Sequence, residues 1–274
     1  MRNIRLIFAL MCIGSLVLTS CGSKRFKGYE KTETGLYYKF FVKNDSGKKA
    51  AEGDYLFMTI SYRSTTDSIP AFETREMEDV LRPSIFKGDL YEAYSLLHEG
   101  DSAEFIIRAD SFFLTMGMAQ LPAFITDTTL LYFTIKLNKV KTLEDFAAEE
   151  VATIAEYVVA NGITVEPTES GLYYIETQAG KGKQVQENDS LQVHYTGKFP
   201  NGEIFDSSVE RGEPAKFTVQ QLIPGFKEGL TMMKEGGKAT LIIPSSIAYG
   251  EGIPGSPIGP FQPLIFEIEV IKIL

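Results

Sequence analysis

The chain has 274 residues but no tryptophan, two cysteines and two histidines. Without tryptophan, any aromatic surface must come from the 13 tyrosines and 19 phenylalanines. Cys12 lies inside an apolar leader and Cys21 at its end, so the chain beyond the leader holds one thiol. That excludes an intrachain disulfide and a thiolate metal site. His98 and His194 are isolated from each other and from any cysteine, so no metal or other cofactor is assigned. Basic residues are also scarce, 27 against 36 acidic ones, for a net charge of −9 with no basic run. Nucleic acid is therefore excluded as a partner. The apolar run from Leu6 to Leu18 is thirteen residues, short of the ~20 that a spanning helix needs.

That run has the form of a secretory leader: Arg2 and Arg5 precede it, and small residues follow. Its end, Leu18-Thr19-Ser20-Cys21, resembles the lipobox of bacterial lipoproteins. The resemblance implies a signal peptide over 1–20, lipidation at Cys21 and a short basic tether over 21–31. Loss of residues 1–20 removes two basic residues and no acid, leaving 25 against 36 and a charge of −11.

The rest of the chain is a repeat. "TETGLYYKFF" from Thr32 recurs as "TESGLYYIET" from Thr168, and "EGDYLFMTISY" from Glu52 lies over "ENDSLQVHYTG" from Glu187. "YSLLHEGDSAEFII" from Tyr94 lies over "LTMMKEGGKATLII" from Leu230. A unit of about a hundred residues is far longer than a solenoid repeat, so two globular domains are expected, over 32–141 and 163–274. Between them, Leu143, Phe146, Ala147, Ile154, Ala155, Val158 and Val159 recur at three- and four-residue steps. Thr142 with Asp145 gives a start signal and Asn161-Gly162 a stop, so 142–162 is predicted to be a connector helix. Its apolar face calls for a partner, either one of the domains or a second copy of the chain in a homodimer.

In the second copy, alternation puts Leu191, Val193 and Tyr195 on one strand face. It likewise groups Leu264, Phe266, Ile268 and Val270, with Glu267 and Glu269 opposite. Ile223, Phe226, Leu230 and Met233 form one apolar helix face; Pro224 suits the first turn and Gly236-Gly237 the end. The expected fold is α+β: in each domain, an antiparallel sheet wrapped on a short helix.

Val193–Ser208, Ile223-Pro224-Gly225-Phe226 and the stretch from Ile247 to Val270 resemble the FK506-binding protein family of peptidyl-prolyl cis-trans isomerases. The likeness covers about 165–274, and the motifs occur in order. It implies a proline pocket. Tyr195, Phe205 and Asp206 would form one wall, with Arg211 pairing the aspartate. Leu222 and Ile223 would hold the ligand through their backbone, and Phe226 would be the floor. Tyr249 would bond a substrate carbonyl, and Ile258 and Phe266 would close the far side. The implied partners are proline-containing unfolded or folding polypeptides and FK506-like macrolides. With the leader, the resemblance implies an FKBP-type lipoprotein of the bacterial cell envelope, facing the periplasm and held to the outer membrane only by its lipid. Three departures bear on substrate and drug preference: Ala215 where many members have Phe, a shorter stretch before Leu222, and Pro254 and Pro257 after Tyr249.

Such a pocket suits prolyl isomerisation because no covalent bond breaks. The barrier of ~18–20 kcal/mol is lost amide resonance, and a twisted amide is less polar than a planar one. Desolvation and shape favour it, and a phenol can hold a neighbouring carbonyl. His194 falls on the face opposite Tyr195, which points to a structural or exposed role. His98 is placed on the helix of the first copy. In that copy Ile60 stands for Tyr195, Phe72 for Phe205, Glu73 for Asp206, Leu90 for Phe226 and Phe113 for Tyr249. Thr59-Ile60-Ser61-Tyr62 replaces the "HYTG" stretch, and a loop with Met116, Met118, Leu121, Phe124 and Ile125 replaces the Gly-Pro-rich one. The first copy is therefore expected to be catalytically silent. The alternative for the whole chain is a non-catalytic chaperone or scaffold that uses the same shape to bind.

Overall fold

The computed structural model describes residues 26–253 and 255–274. The leader, the proposed lipidation site Cys21, tether residues 22–25 and Pro254 lie outside the described residues. The chain divides into two compact units, one ending at Val140 and the other spanning Lys141–Leu274.

The first unit is a six-stranded sheet in the order β1 (Glu30–Lys31), β2 (Tyr37–Val42), β5 (Ser102–Arg108), β6 (Leu130–Lys141), β3 (Tyr55–Ser64) and β4 (Phe72–Val80). Antiparallel ladders join β1 to β2, β2 to β5, β5 to β6 and β3 to β4. Alternation in β3 buries Leu56, Met58 and Ile60 with Phe105, Ile107, Phe133 and Ile135. Helix α1 (Leu90–Ser95) is capped by Asp89, which accepts from the Glu92 amide at 2.9 Å. A second short helix, α2, spans Ala109–Thr115. His98 is not on a helix. α1 stops at Ser95, and the Asp101 carboxylate accepts from the His98 amide at 2.7 Å, turning the chain into a bridge with Lys49.

In the second unit the sheet order is β10 (Ala215–Thr218), β8 (Ser190–Lys198), β12 (Leu264–Ile273), β11 (Lys238–Ile243) and β7 (Tyr173–Gln178), and β9 (Ile204–Ser207) also pairs with β8. Every one of these ladders is antiparallel. Leu264, Phe266, Ile268 and Val270 are buried on one face of β12, while Glu267 is exposed on the other. Helix α4 (Pro224–Met232) starts with proline in its first turn and lays Phe226 and Leu230 into the core. It ends at Met232, before Gly236-Gly237, because Lys234 leaves the helix to bridge with Gln184. Close packing of α4 on β11 depends on missing side chains. A Cβ at Gly225 would sit 2.4 Å from Ile243, and one at Gly229 2.3 Å from Leu241. Each unit is thus an antiparallel sheet with short helices, an α+β fold.

Helix α3 (Leu143–Ala160) opens with a capping box between Thr142 and Asp145 and ends at Asn161, with Gly162 at φ +61. No residue of it is fully buried. Beyond the capping residue Asp145, its half-buried positions, Phe146, Ala147, Glu150, Thr153, Ile154, Tyr157 and Val158, form one stripe, while Val151 and Val159 are exposed. Among the described residues, no helix is long and apolar enough to cross a membrane.

Candidate active site

The inner face of β8 ends in Tyr195 and Gly197, and Phe199 follows just past its end. Gly197 has no side chain, and two rings occupy the space: a Cβ there would lie 2.6 Å from Phe205 Cζ and 2.9 Å from Phe266 Cε1. Phe205 meets Phe266 edge to face at 5.6 Å between centroids, and Phe266 meets Phe226 in the same way at 4.7 Å. Phe199 backs Phe205 at 5.0 Å. These contacts fix the ring positions in three dimensions, and such pairs add to the burial energy.

The resulting cavity has a volume of about 310 Å³ and is lined by Tyr195, Phe205, Asp206, Phe217, Gln221, Leu222, Ile223, Phe226, Tyr249 and Phe266. Eight of the residues expected at the site from the sequence therefore share one cavity. Ile258 is not among the lining residues; it is 8% exposed in the core. Arg211 stands beside the cavity, bonded to its rim. Phe217 was not expected. It follows Ala215 by two residues on the same strand face and meets Phe226 edge to face at 5.9 Å, so the wall near Ala215 has its own ring. The alternation of β10 could have revealed it; nothing in the pattern singles out Gln221.

One corner of the cavity is polar. Tyr195 donates from its hydroxyl to one oxygen of Asp206, and Arg211 donates to the other. A second Arg211 nitrogen reaches the Tyr195 hydroxyl at 3.0 Å. Burial and the Asp206 bond push the Tyr195 phenol above its ordinary range, so it stays protonated as a donor. Burial opposes ionisation of Asp206, but the bonds from Tyr195 and Arg211 outweigh it and hold the carboxyl below its ordinary value. The two serines that follow are buried and pin β9 to β8. The Tyr195 amide donates to Ser208 Oγ at 2.8 Å, and Ser207 Oγ lies 2.9 Å from Thr196 Oγ1. His194 points to the other face of the sheet, its Nδ1 3.1 Å from Ser208 Oγ. Tyr249, 38% exposed, takes part in none of these bonds and presents its ring at the mouth.

The corresponding place in the first unit is filled. Tyr62 stands where the second unit has Gly197. Its ring stacks on Phe72 at 5.5 Å and 10°, and meets Phe133 at 5.0 Å and Phe112 at 5.8 Å. Ile60 and Leu90 are buried beneath. Ladder register sets Phe72 opposite Tyr62, as Asp206 is opposite Gly197. The ring, and not Glu73, therefore takes the carboxylate's place; a bulge between Ile60 and Tyr62 shifts the alignment from the one expected. In the neighbouring loop and helix end, Leu114, Met116, Met118 and Phe124 are exposed, as are Ile85 and Phe86.

Residues 181–271 match the family model of FKBP-type peptidyl-prolyl cis-trans isomerases. A probable FKBP-type peptidyl-prolyl cis-trans isomerase of Haemophilus influenzae is 47% identical over 114 residues, covering 42% of this chain and 47% of that protein. The FKBP-type 22 kDa peptidyl-prolyl cis-trans isomerase of Escherichia coli is 47% identical over 128 residues, covering 47% and 61%. The chain spans about half the length of the curated relatives it matches. Among solved structures, a peptidyl-prolyl cis-trans isomerase of Pseudomonas syringae is 35% identical, with 48% of this chain and 96% of that one covered and a TM-score of 0.43. Through its second unit, the chain belongs to the FKBP-type peptidyl-prolyl cis-trans isomerase family.

Proposed function

We propose that the chain is an active prolyl isomerase, with all of its catalysis in the second unit. The observation that carries this is a cavity walled by six aromatic rings and two aliphatic side chains, with a polar corner where Tyr195 meets Asp206. A proline ring enters the apolar part and leaves water behind. The planar amide loses solvation that the twisted amide needs less, so the twisted form gains relative to the ground state. The Tyr249 hydroxyl, at the mouth, donates to a carbonyl of the bound peptide. The corner of Tyr195, Asp206 and Arg211 holds the wall in shape and gives the peptide backbone a fixed dipole to align with. Lowering the barrier by ~5–8 kcal/mol gives an acceleration of about 10⁴–10⁶.

The substrates in this reading are X-Pro bonds of unfolded or folding exported polypeptides, and FK506-like macrolides compete for the cavity. Cys21 anchors the chain by lipid in the bacterial envelope, facing the periplasm; the leader sequence supports this. A homodimer through the exposed apolar side chains of α3 belongs to the same proposal. In the full chain, Tyr249→Phe combined with Asp206→Leu should abolish catalysed isomerisation of a proline peptide while the fold persists. An unchanged rate would sink the site.

One observation favours a second role for the first unit. With the pocket filled by Tyr62 and apolar side chains exposed around α2, it acts as a non-catalytic binding module. Suppression of aggregation of an unfolded protein should then survive the double substitution, and its loss together with the isomerase activity would sink this role.

A further inference from the structure

Tyr249 is placed by a turn that is itself held from a distance. Residues Ser245–Ile247 form a single 3₁₀ turn after Pro244. The Ser245 carbonyl accepts from the amides of Ala248 and Gly250, each at 2.9 Å. Those two residues flank Tyr249, so one oxygen sets the backbone on both sides of it. The Ser245 donors have another partner: its amide donates to Glu150 Oε1 at 2.6 Å and its hydroxyl to Glu150 Oε2 at 2.7 Å. Glu150 lies 95 residues earlier, on α3. Ser245 is 3% exposed, and Glu150 is the charged member of the half-buried stripe of that helix. Both carboxylate oxygens are thus used on one residue, as charge-assisted bonds stronger than neutral ones.

We propose that Glu150 is a positioning residue for Tyr249: through Ser245 it fixes the turn that carries the tyrosine and so makes the connector helix part of the pocket. This rests on the prolyl isomerase reading above. Without Glu150, two buried donors lose their acceptor, and the turn can relax toward other partners. Positional freedom in a group that must meet a substrate carbonyl reduces catalysis, since such groups work only near their productive geometry. A purely structural Glu150 would lower stability without acting through the tyrosine.

The test uses the full chain with Glu150→Ala and Glu150→Gln, each alone and combined with Tyr249→Phe. The readouts are kcat/KM for a proline peptide and the melting temperature. Glu150→Ala should lower kcat/KM by about three- to tenfold, the scale of one hydrogen bond. Glu150→Gln should recover most of the loss, because its amide can still accept from the Ser245 amide. In the Tyr249→Phe background, Glu150→Ala should have no further effect. Should Glu150→Ala not fold, Ser245→Ala, which removes only the hydroxyl bond, carries the same comparison. An active wild type with no loss in Glu150→Ala overturns the proposal, and so does an equal loss in both backgrounds. A folded wild type without turnover overturns the isomerase reading itself, and this proposal with it.

Discussion

Gly197→Ala tests the packing that shapes the cavity. A methyl carbon at this position would lie 2.6 and 2.7 Å from Phe205 Cζ and Cε2 and 2.9 Å from Phe266 Cε1. Carbon atoms in contact sit at about 3.5–4.0 Å, so each ring must retreat by about 1 Å. Each is packed against a further ring. Phe205 is backed by Phe199 at 5.0 Å, and Phe266 by Phe226 at 4.7 Å. Over-packing of this kind costs about 1–3 kcal/mol. For a unit of this size that is about 3–5 °C of Tm per kcal/mol. Misplacing the rings by about 1 Å should also lower kcat/KM by roughly 10- to 100-fold. Denaturation followed by the second unit's signal, and turnover measured well below the new Tm, separate the two effects. A variant with unchanged Tm would refute the packing argument. One that is destabilised but turns over at the wild-type rate would show that Phe205 and Phe266 do not shape the reaction.

Three further outcomes follow from the same structure. Asp206→Asn should reduce stability at pH 7, and the gap to wild type should close as the pH falls below about 4. The Asp206 carboxyl is depressed in the folded state, so its contribution is present above the unfolded value and lost as the pH drops through the folded one; a gap that widens on acidification in urea titrations would contradict this. Leu241→Ala, at a fully buried position against Gly229, should cost about 2–5 kcal/mol, seen as a lower urea midpoint at unchanged slope, and a loss under 1 kcal/mol would show that α4 sinks into the gap. Thr142→Ala removes the capping box of α3, at a cost of about 1 kcal/mol, and should speed amide hydrogen exchange in the first turns of that helix; unaltered exchange would mean that the cap carries no weight there.

Elements marked by periodicity and caps were legible in the sequence. The alternation of β8 and β12, the proline that opens α4, and Thr142 and Asp145 at the start of α3 each carry their physics locally. So did most of the pocket, because its residues recur in an ordered set of motifs. The parts that stayed hidden depend on contacts between distant segments. Gly197 looks like an ordinary strand glycine until Phe205 and Phe266 are seen to fill its place. Tyr62 looks like one more core tyrosine until it is seen to fill the same place in the first unit. The shift from Glu73 to Phe72 comes from a bulge, which leaves no mark in composition. The bond from Glu150 to Ser245 spans 95 residues, and neither residue type announces it.

The central claim is that the cavity of Tyr195, Phe226, Tyr249 and Phe266 isomerises prolyl bonds. The most direct measurement is the cis-to-trans rate of a short X-Phe-Pro peptide with the full chain, with and without FK506. The account predicts a saturable rate far above the uncatalysed one, which takes tens to hundreds of seconds, and its loss with Tyr249→Phe plus Asp206→Leu. Inhibition by FK506 would place the turnover in this cavity. A folded chain that leaves the peptide at its uncatalysed rate would contradict the claim and leave the family shape as a binding module.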